Sequence, residues 1–208
     1  MRFALTLALF IACNGCAKPP AELDDLGPLP PFRMTDDQGR TVTDATLRGT
    51  VWAANFLFTS CPTACPPLAR ATAALQPKIA PLTTAQAPVR LVSISVDPMT
   101  DSPAVLRTFG QKYAADPALW QLLTGDYAEM EKLVVQGFFQ PIIRSDRLPG
   151  LPSEHTAIQQ ATPLDTAHSL RFVLVDQAGH MRALYGKEPA ELDKLVVAIR
   201  WLLAHPPQ

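Results

Sequence analysis

Two cysteines separated by three residues, Cys61 and Cys65, stand where an apolar run gives way to prolines, in Phe56-Leu57-Phe58-Thr59-Ser60-Cys61-Pro62-Thr63-Ala64-Cys65-Pro66-Pro67. Such a pair can exchange a disulfide, bind a metal as thiolates, or form a purely structural bridge, and the thiolate is the reactive form in the first two cases. Placement bears on which form is present. Val51 to Phe58 is β-branched, aromatic and aliphatic, the composition of a strand buried on both faces. Leu68 to Gln76 is rich in Ala and Leu and follows a proline pair, the opening of a helix whose first N–H groups need no donor from proline. The cysteines are therefore expected on a strand-to-helix loop at the carboxyl end of a central strand. Each precedes a proline, which pushes a residue out of the α region, so both are assigned to the loop and not to the helix. Proximity to a helix N-terminus favours thiolate and can bring a cysteine pKa into the range of about 3.5–7.5.

A third ligand is sought among four histidines. His205 is in the C-terminal tail, His155 in a Pro-rich stretch, and His180 beside a hairpin turn where a solvated ring is expected. His168 directly precedes a buried strand, so the sheet edge bearing the cysteine loop can present its imidazole to the thiols. Two thiolates and one imidazole form a soft set suited to Cu(I), able to hold Cu(II), and acceptable to Zn(II) with water as fourth ligand. Asp97, at the end of another strand, either supports the cysteine loop or caps the following turn. Trp52 reads as core. Met34, Met99, Met130 and Met181 are too scattered for a Met-rich copper site.

The elements that must position these residues follow in order. Phe32 to Thr35 and Arg40 to Thr43 flank a Gly-containing turn and form an N-terminal hairpin. After the cysteine helix, Val89 to Val96 is a second buried strand, Ser102-Pro103 opens a helix reaching about Ala115, Trp120 to Leu123 is a short strand, and Asp126 to Gly137 an amphipathic helix. Arg144 to Ala167 lacks periodicity and reads as a long loop. Ser169 to Val175 and His180 to Tyr185 form a second hairpin, and Glu188 to Ala204 closes the chain as a helix with Leu192, Leu195, Val196, Ile199, Leu202 and Leu203 on one face. This order predicts an α/β fold, a mixed central sheet with helices on both faces, thioredoxin-like with an N-terminal β-hairpin extension.

The 208 residues, with 18 basic against 19 acidic side chains and 48% hydrophobic residues, suit one domain with a full core and offer no electrostatic footprint for nucleic acid. Met1-Arg2 followed by the apolar run Phe3 to Ala12 reads as a signal-peptide core, too short to span a membrane, which takes about 20 residues. Cys13 and Cys16 lie among small residues in a pattern that resembles a bacterial lipoprotein cleavage box, either one being the acylated cysteine. Residues 1–16 are thus assigned to a leader, the Pro-rich residues 17–31 to a tether, and 32–208 to the folded domain. Export places the remaining pair, Cys61 and Cys65, in an oxidising envelope, where thiols become a disulfide unless a metal or reductant holds them open.

The cysteine stretch from Phe58 to Pro66, the strand end Ser95-Val96-Asp97-Pro98, Leu123-Thr124-Gly125, and His168 before an apolar strand ending in Asp176-Gln177-Ala178-Gly179 together resemble the Sco/SenC family of thioredoxin-like copper proteins. The resemblance spans about Phe32 to the C-terminus. It implies a membrane-anchored protein of the bacterial cell envelope, facing the periplasm, that binds copper as Cu(I) or Cu(II) through Cys61, Cys65 and His168. It implies as partner the copper-accepting subunit of cytochrome c oxidase, whose binuclear copper centre such proteins help assemble, with other copper chaperones or thiol reductants as further partners. The alternative it leaves open is a thiol-disulfide oxidoreductase with Cys61 and Cys65 as its catalytic redox pair; a peroxidase is a weaker third reading. The chain departs from the family pattern at Thr63, where an acidic residue is usual, and at Ala167, where an Asp usually precedes the histidine. Both changes remove negative charge near the expected metal, with Asp165 the nearest substitute.

Overall fold

The computed structural model describes residues 19–140 and 170–207. Its strands are β1 (Arg33–Asp36), β2 (Thr41–Thr43), β3 (Val51–Leu57), β4 (Val89–Ser95), β5 (Trp120–Thr124), β6 (Phe172–Val175) and β7 (Met181–Tyr185). They form one mixed sheet in the order β2-β1-β5-β4-β3-β6-β7, in which β3, β4 and β5 run parallel and the two terminal hairpins add antiparallel strands. The helices are α1 (Asp44–Leu47), α2 (Cys65–Ile79), α3 (Pro103–Lys112), α4 (Tyr127–Glu131) and α5 (Pro189–Ala204). The expected thioredoxin-like α/β architecture is the observed one.

Side-chain alternation along β3 explains why the sheet has two covered faces. Val51, Ala53 and Leu57 belong to the core shared with α2, α3 and α5, while Trp52, Ala54 and Phe56 belong to the core under the N-terminal hairpin and α4. All seven residues of β3 are buried, as a strand with two packed faces requires. Each large apolar side chain removed from water here stabilises the fold by about 1.5–3 kcal/mol. The face toward α2 also contains one polar chain: Trp120 Nε1 donates to Ser93 Oγ (2.9 Å), Ser93 Oγ to Asn55 Oδ1 (2.8 Å), and Asn55 Nδ2 to Thr72 Oγ1 (2.9 Å). These residues are fully buried, so the network fixes α2 against β3, β4 and β5 at one register.

Three expectations need correction. Cys65 is the first residue of α2 and not part of the loop, because Pro66 and Pro67 fall within the first turn, where a missing N–H costs no helical bond. The pre-proline bias against α geometry is outweighed at this position. The helix expected over Asp126 to Gly137 begins as α4 but continues as a π-helical turn over Lys132–Gly137. Finally, the folded unit begins before Phe32. Asp24 N donates to Arg182 O and Leu26 N to Met181 O, Met181 N donates to Gly27 O and Leu29 N to Gly179 O, all at 2.9–3.0 Å, so the end of the Pro-rich stretch lies along β7 and covers that sheet edge. Residues 1–16, Cys13 and Cys16 among them, the start of the stretch assigned to the tether, and the whole expected loop from Arg144 to Ala167 lie outside the described residues.

Candidate metal centre

β3 ends at Leu57, and Phe58, Thr59 and Ser60 carry the chain from the sheet to Cys61. Cys61 N donates to Phe58 O at 3.2 Å, a tight turn that folds the first thiol back over the strand end. Four residues later α2 begins, and Cys65 N donates to Cys61 Sγ at 3.3 Å. Both cysteines are free and buried, 6% and 4% exposed, so neither is an incidental surface thiol.

The two sulfurs have opposite proton affinities. Cys61 is pulled down to about 5, first by the hydrogen bond from the Cys65 side chain and then, against the cost of burial, by the backbone N–H groups of Cys65, Thr63 and Ala64. Those amides are the open donors at the start of α2, an anion-binding arrangement. Cys65 is pushed up strongly, first by its hydrogen bond to Cys61, then by burial and by the charges of Cys61 and Asp101. At neutral pH the pair therefore holds one proton: a thiolate at Cys61 and a thiol at Cys65.

Asp101 enters this centre although nothing in the sequence pattern singles it out. Its carboxylate is fully buried and accepts from Thr59 Oγ1 (2.5 Å), from Thr59 N (3.1 Å) and from Ser95 Oγ (2.6 Å). Asp97, the acidic residue considered from the sequence, acts through its backbone: its carbonyl accepts from Thr100 N and Asp101 N and so forms the turn that delivers Asp101. The sequence Asp101-Ser102-Pro103 looks like an ordinary helix start, and Ser102 does cap α3 by accepting from Val105 N. A contact from Asp101 back to Thr59 leaves no local signature.

Of the other expected site residues, His168 lies outside the described residues, as do His155 and Asp165. His180 is held at the far hairpin by a hydrogen bond with Asp25, 2.9 Å from Nδ1 to Oδ1, and so is partnered where a solvated ring was expected. His205 stacks on Trp201 at 4.3 Å between ring centroids. Among the described residues no group of three or more His, Cys, Asp or Glu side chains is placed to hold a metal ion. The described part of the centre is thus a dithiol with one ionised sulfur, able to donate two soft ligands or to attack a disulfide. Trp52 is core, 2% exposed, and Met34, Met130 and Met181 are buried in it, while Met99 is 86% exposed.

A family model described as SCO1/SenC matches residues 24–204. The chain is 37% identical over 109 residues to the "SCO1 protein homolog" of Bacillus subtilis (strain 168), a match over 52% of this chain and 55% of that protein, so it spans about half the length of that relative. Among solved structures, a SCO1/SenC family lipoprotein from Bacillus anthracis str. Ames superposes with a TM-score of 0.68 at 27% identity, over 90% of this chain and 99% of the other. BsSco, described as a member of the Sco family of cytochrome c oxidase assembly proteins in which a disulfide switch was identified, gives 0.68 at 25% identity over 88% and 98% of the two chains. Arabidopsis thaliana ScoI with copper bound shares the fold, with a TM-score of 0.63 at 24% identity over 84% and 99%.

Proposed function

This chain belongs to the SCO1/SenC family, and from that premise we propose that it is a lipid-anchored copper metallochaperone of the bacterial envelope that delivers copper to, or matures, the binuclear copper centre of a respiratory cytochrome c oxidase. Cys61 and Cys65 are its thiolate ligands and His168 its imidazole ligand. The observation that carries this reading is the buried Cys61–Cys65 pair at the start of α2, with Cys61 already ionised. Copper here is cargo. A cargo site must bind and release, and a dithiol holding one proton serves both directions: copper displaces the Cys65 proton on binding, and reprotonation of Cys65 favours release. The copper-bound relative and the lipoprotein relative support the same reading.

Titration of the reduced protein with Cu(I) and with Cu(II) tests it. Tight one-to-one binding is expected, weakened at least about tenfold by His168→Ala, since even outer-shell changes cost metal sites 10–100-fold. Absence of tight binding, or binding indifferent to His168, contradicts the proposal.

A second reading, a thiol-disulfide oxidoreductase acting on cysteines of an envelope protein, is favoured by the split between the two sulfurs. Cys61 thiolate attacks a substrate disulfide and forms a mixed disulfide, expelling one substrate thiolate. Cys65 then gives up its proton, attacks Cys61 Sγ, and releases the second substrate sulfur, leaving Cys61–Cys65 oxidised and the substrate reduced. Turnover that survives His168→Ala identifies this reading.

A further inference from the structure

We propose that Asp101 is the positioning residue of the cysteine loop: its buried carboxylate holds Thr59 and thereby keeps Cys61 seated against the amide of Cys65. This rests on Cys61 and Cys65 being the working pair and holds for either reading above.

A carboxylate with no exposure is costly to bury unless hydrogen bonds replace its water. Among the described residues no cation pairs with Asp101, so neutral donors do the replacing. Oδ1 takes the Thr59 hydroxyl at 2.5 Å and Oδ2 the Ser95 hydroxyl at 2.6 Å, while the Thr59 amide lies 3.1 Å from Oδ2 and 3.3 Å from Oδ1. Two of these three donors belong to one loop residue, two positions before Cys61.

Helix capping does not account for the carboxylate, because Ser102 supplies the cap of α3. Nor does the turn after β4, which Asp97 closes through its backbone. What the carboxylate joins is the end of β4, through Ser95, to the loop leaving β3, through Thr59. In the same half of the loop Cys61 N donates to Phe58 O and the Phe58 backbone hydrogen-bonds the Cys65 sulfur, so Thr59 is the residue tied outward to β4. With Thr59 fixed from one side and Cys65 N fixed by α2 on the other, the position of Cys61 Sγ is set at both ends of its loop.

The test uses the reduced, metal-free protein at pH 7.5. Two rates are measured: alkylation of Cys61 by iodoacetamide, read on the peptide that contains it, and hydrogen exchange at the Thr59 amide. In Asp101→Asn both rates are expected to rise about tenfold, as loss of charge-assisted hydrogen bonds opens the loop. In Thr59→Val, which keeps the Asp101 charge, Cys61 alkylation is expected to rise about threefold through loss of the hydroxyl bond. Thr59→Ser is expected to behave as wild type, and exchange in β3 at Ala54 to stay unchanged in all three. Wild-type rates in both Asp101→Asn and Thr59→Val overturn the proposal, as does an equal rise at Ala54, which reports general loosening. A response confined to Asp101→Asn also overturns it, because charge alone then explains the effect. Should Asp101→Asn fail to fold, Thr59→Val and Thr59→Ser decide the matter. Failure of the copper or exchange readings appears in the wild type itself, and so is distinguishable from failure here.

Discussion

At the carboxyl ends of β3 and β4 the chain gathers two buried thiols, a buried carboxylate and the open amides of α2, joined by short hydrogen bonds. At the amino ends of the same strands it leaves a concavity of about 890 Å³ lined by Arg40, Arg48, Thr83, Arg90, Asp116 and Gln121. By size the second region is the one that looks like a ligand pocket, since such sites run to roughly 300–1,000 Å³. Its charges, however, are engaged in ordinary ways: Arg40 pairs with Asp36 at 2.8 Å, Arg48 Nη1 donates to Ala178 O, and Arg90 Nη1 donates to Val89 O. The difference teaches that volume is the wrong criterion when the cargo is an ion or an electron pair. What distinguishes the carboxyl end is a pair of neighbouring sulfurs whose environments drive their proton affinities apart.

Substitution at the carboxyl end should give the largest effect. Cys61→Ser or Cys65→Ser is expected to lower Cu(I) affinity by on the order of a thousandfold or more, beyond the 10–100-fold typical of outer-shell changes. Competition with a Cu(I) chelator reads it, and a loss under tenfold would break the contrast between the two ends. Next comes the layer beneath. Asn55→Ala deprives the buried hydroxyls of Thr72 and Ser93 of a partner and should cost about 2–3 kcal/mol of stability in urea unfolding.

The proton split gives a sharper, smaller signal. Because Cys61 is held near 5, its alkylation rate should rise with pH to a half-maximum near 5 and then level off through neutrality. An unperturbed thiol would still be climbing at pH 8, near its ordinary pKa of about 8.5. Cys65, pushed up, should stay silent over the same interval, so Cu(I) binding at pH 7 should release about one proton and not two. At the amino end, Arg90→Ala should leave copper affinity within about twofold and stability within about 0.5 kcal/mol, the usual range for surface changes. A larger effect on copper would tie the pocket to the centre.

The sheet was legible because its signals are side-chain patterns: an unbroken apolar β3, alternation in the hairpins, and a helical stripe of Leu and Val in α5. The parts that escaped are those made by the backbone or by distant partners. Asp24 to Leu29 pairs with β7 through main-chain groups, and the prolines within and around it disguise the pairing as a linker. Cys65 sits in α2 although Pro66 follows it, because the steric bias against α geometry before proline is a preference that first-turn placement can overcome. Asp101 was hidden by its neighbours, since Asp-Ser-Pro before a helix has a sufficient local explanation and its real partner, Thr59, lies 42 positions upstream. The two thiols stand where the end of the apolar strand and the following prolines suggested, between β3 and α2, with Cys65 one step further on, inside the helix. The third expected ligand, His168, rests on its place before β6 and on the family pattern.

Whether Cys61, Cys65 and His168 meet on one copper ion, as proposed, is decided by X-ray absorption at the copper edge of the Cu(I)-loaded protein. Two sulfur donors and one imidazole nitrogen are expected, with the imidazole signature lost in His168→Ala and the sulfur donors retained. A sulfur-only shell in the wild type, or an imidazole signal that survives His168→Ala, contradicts the proposal.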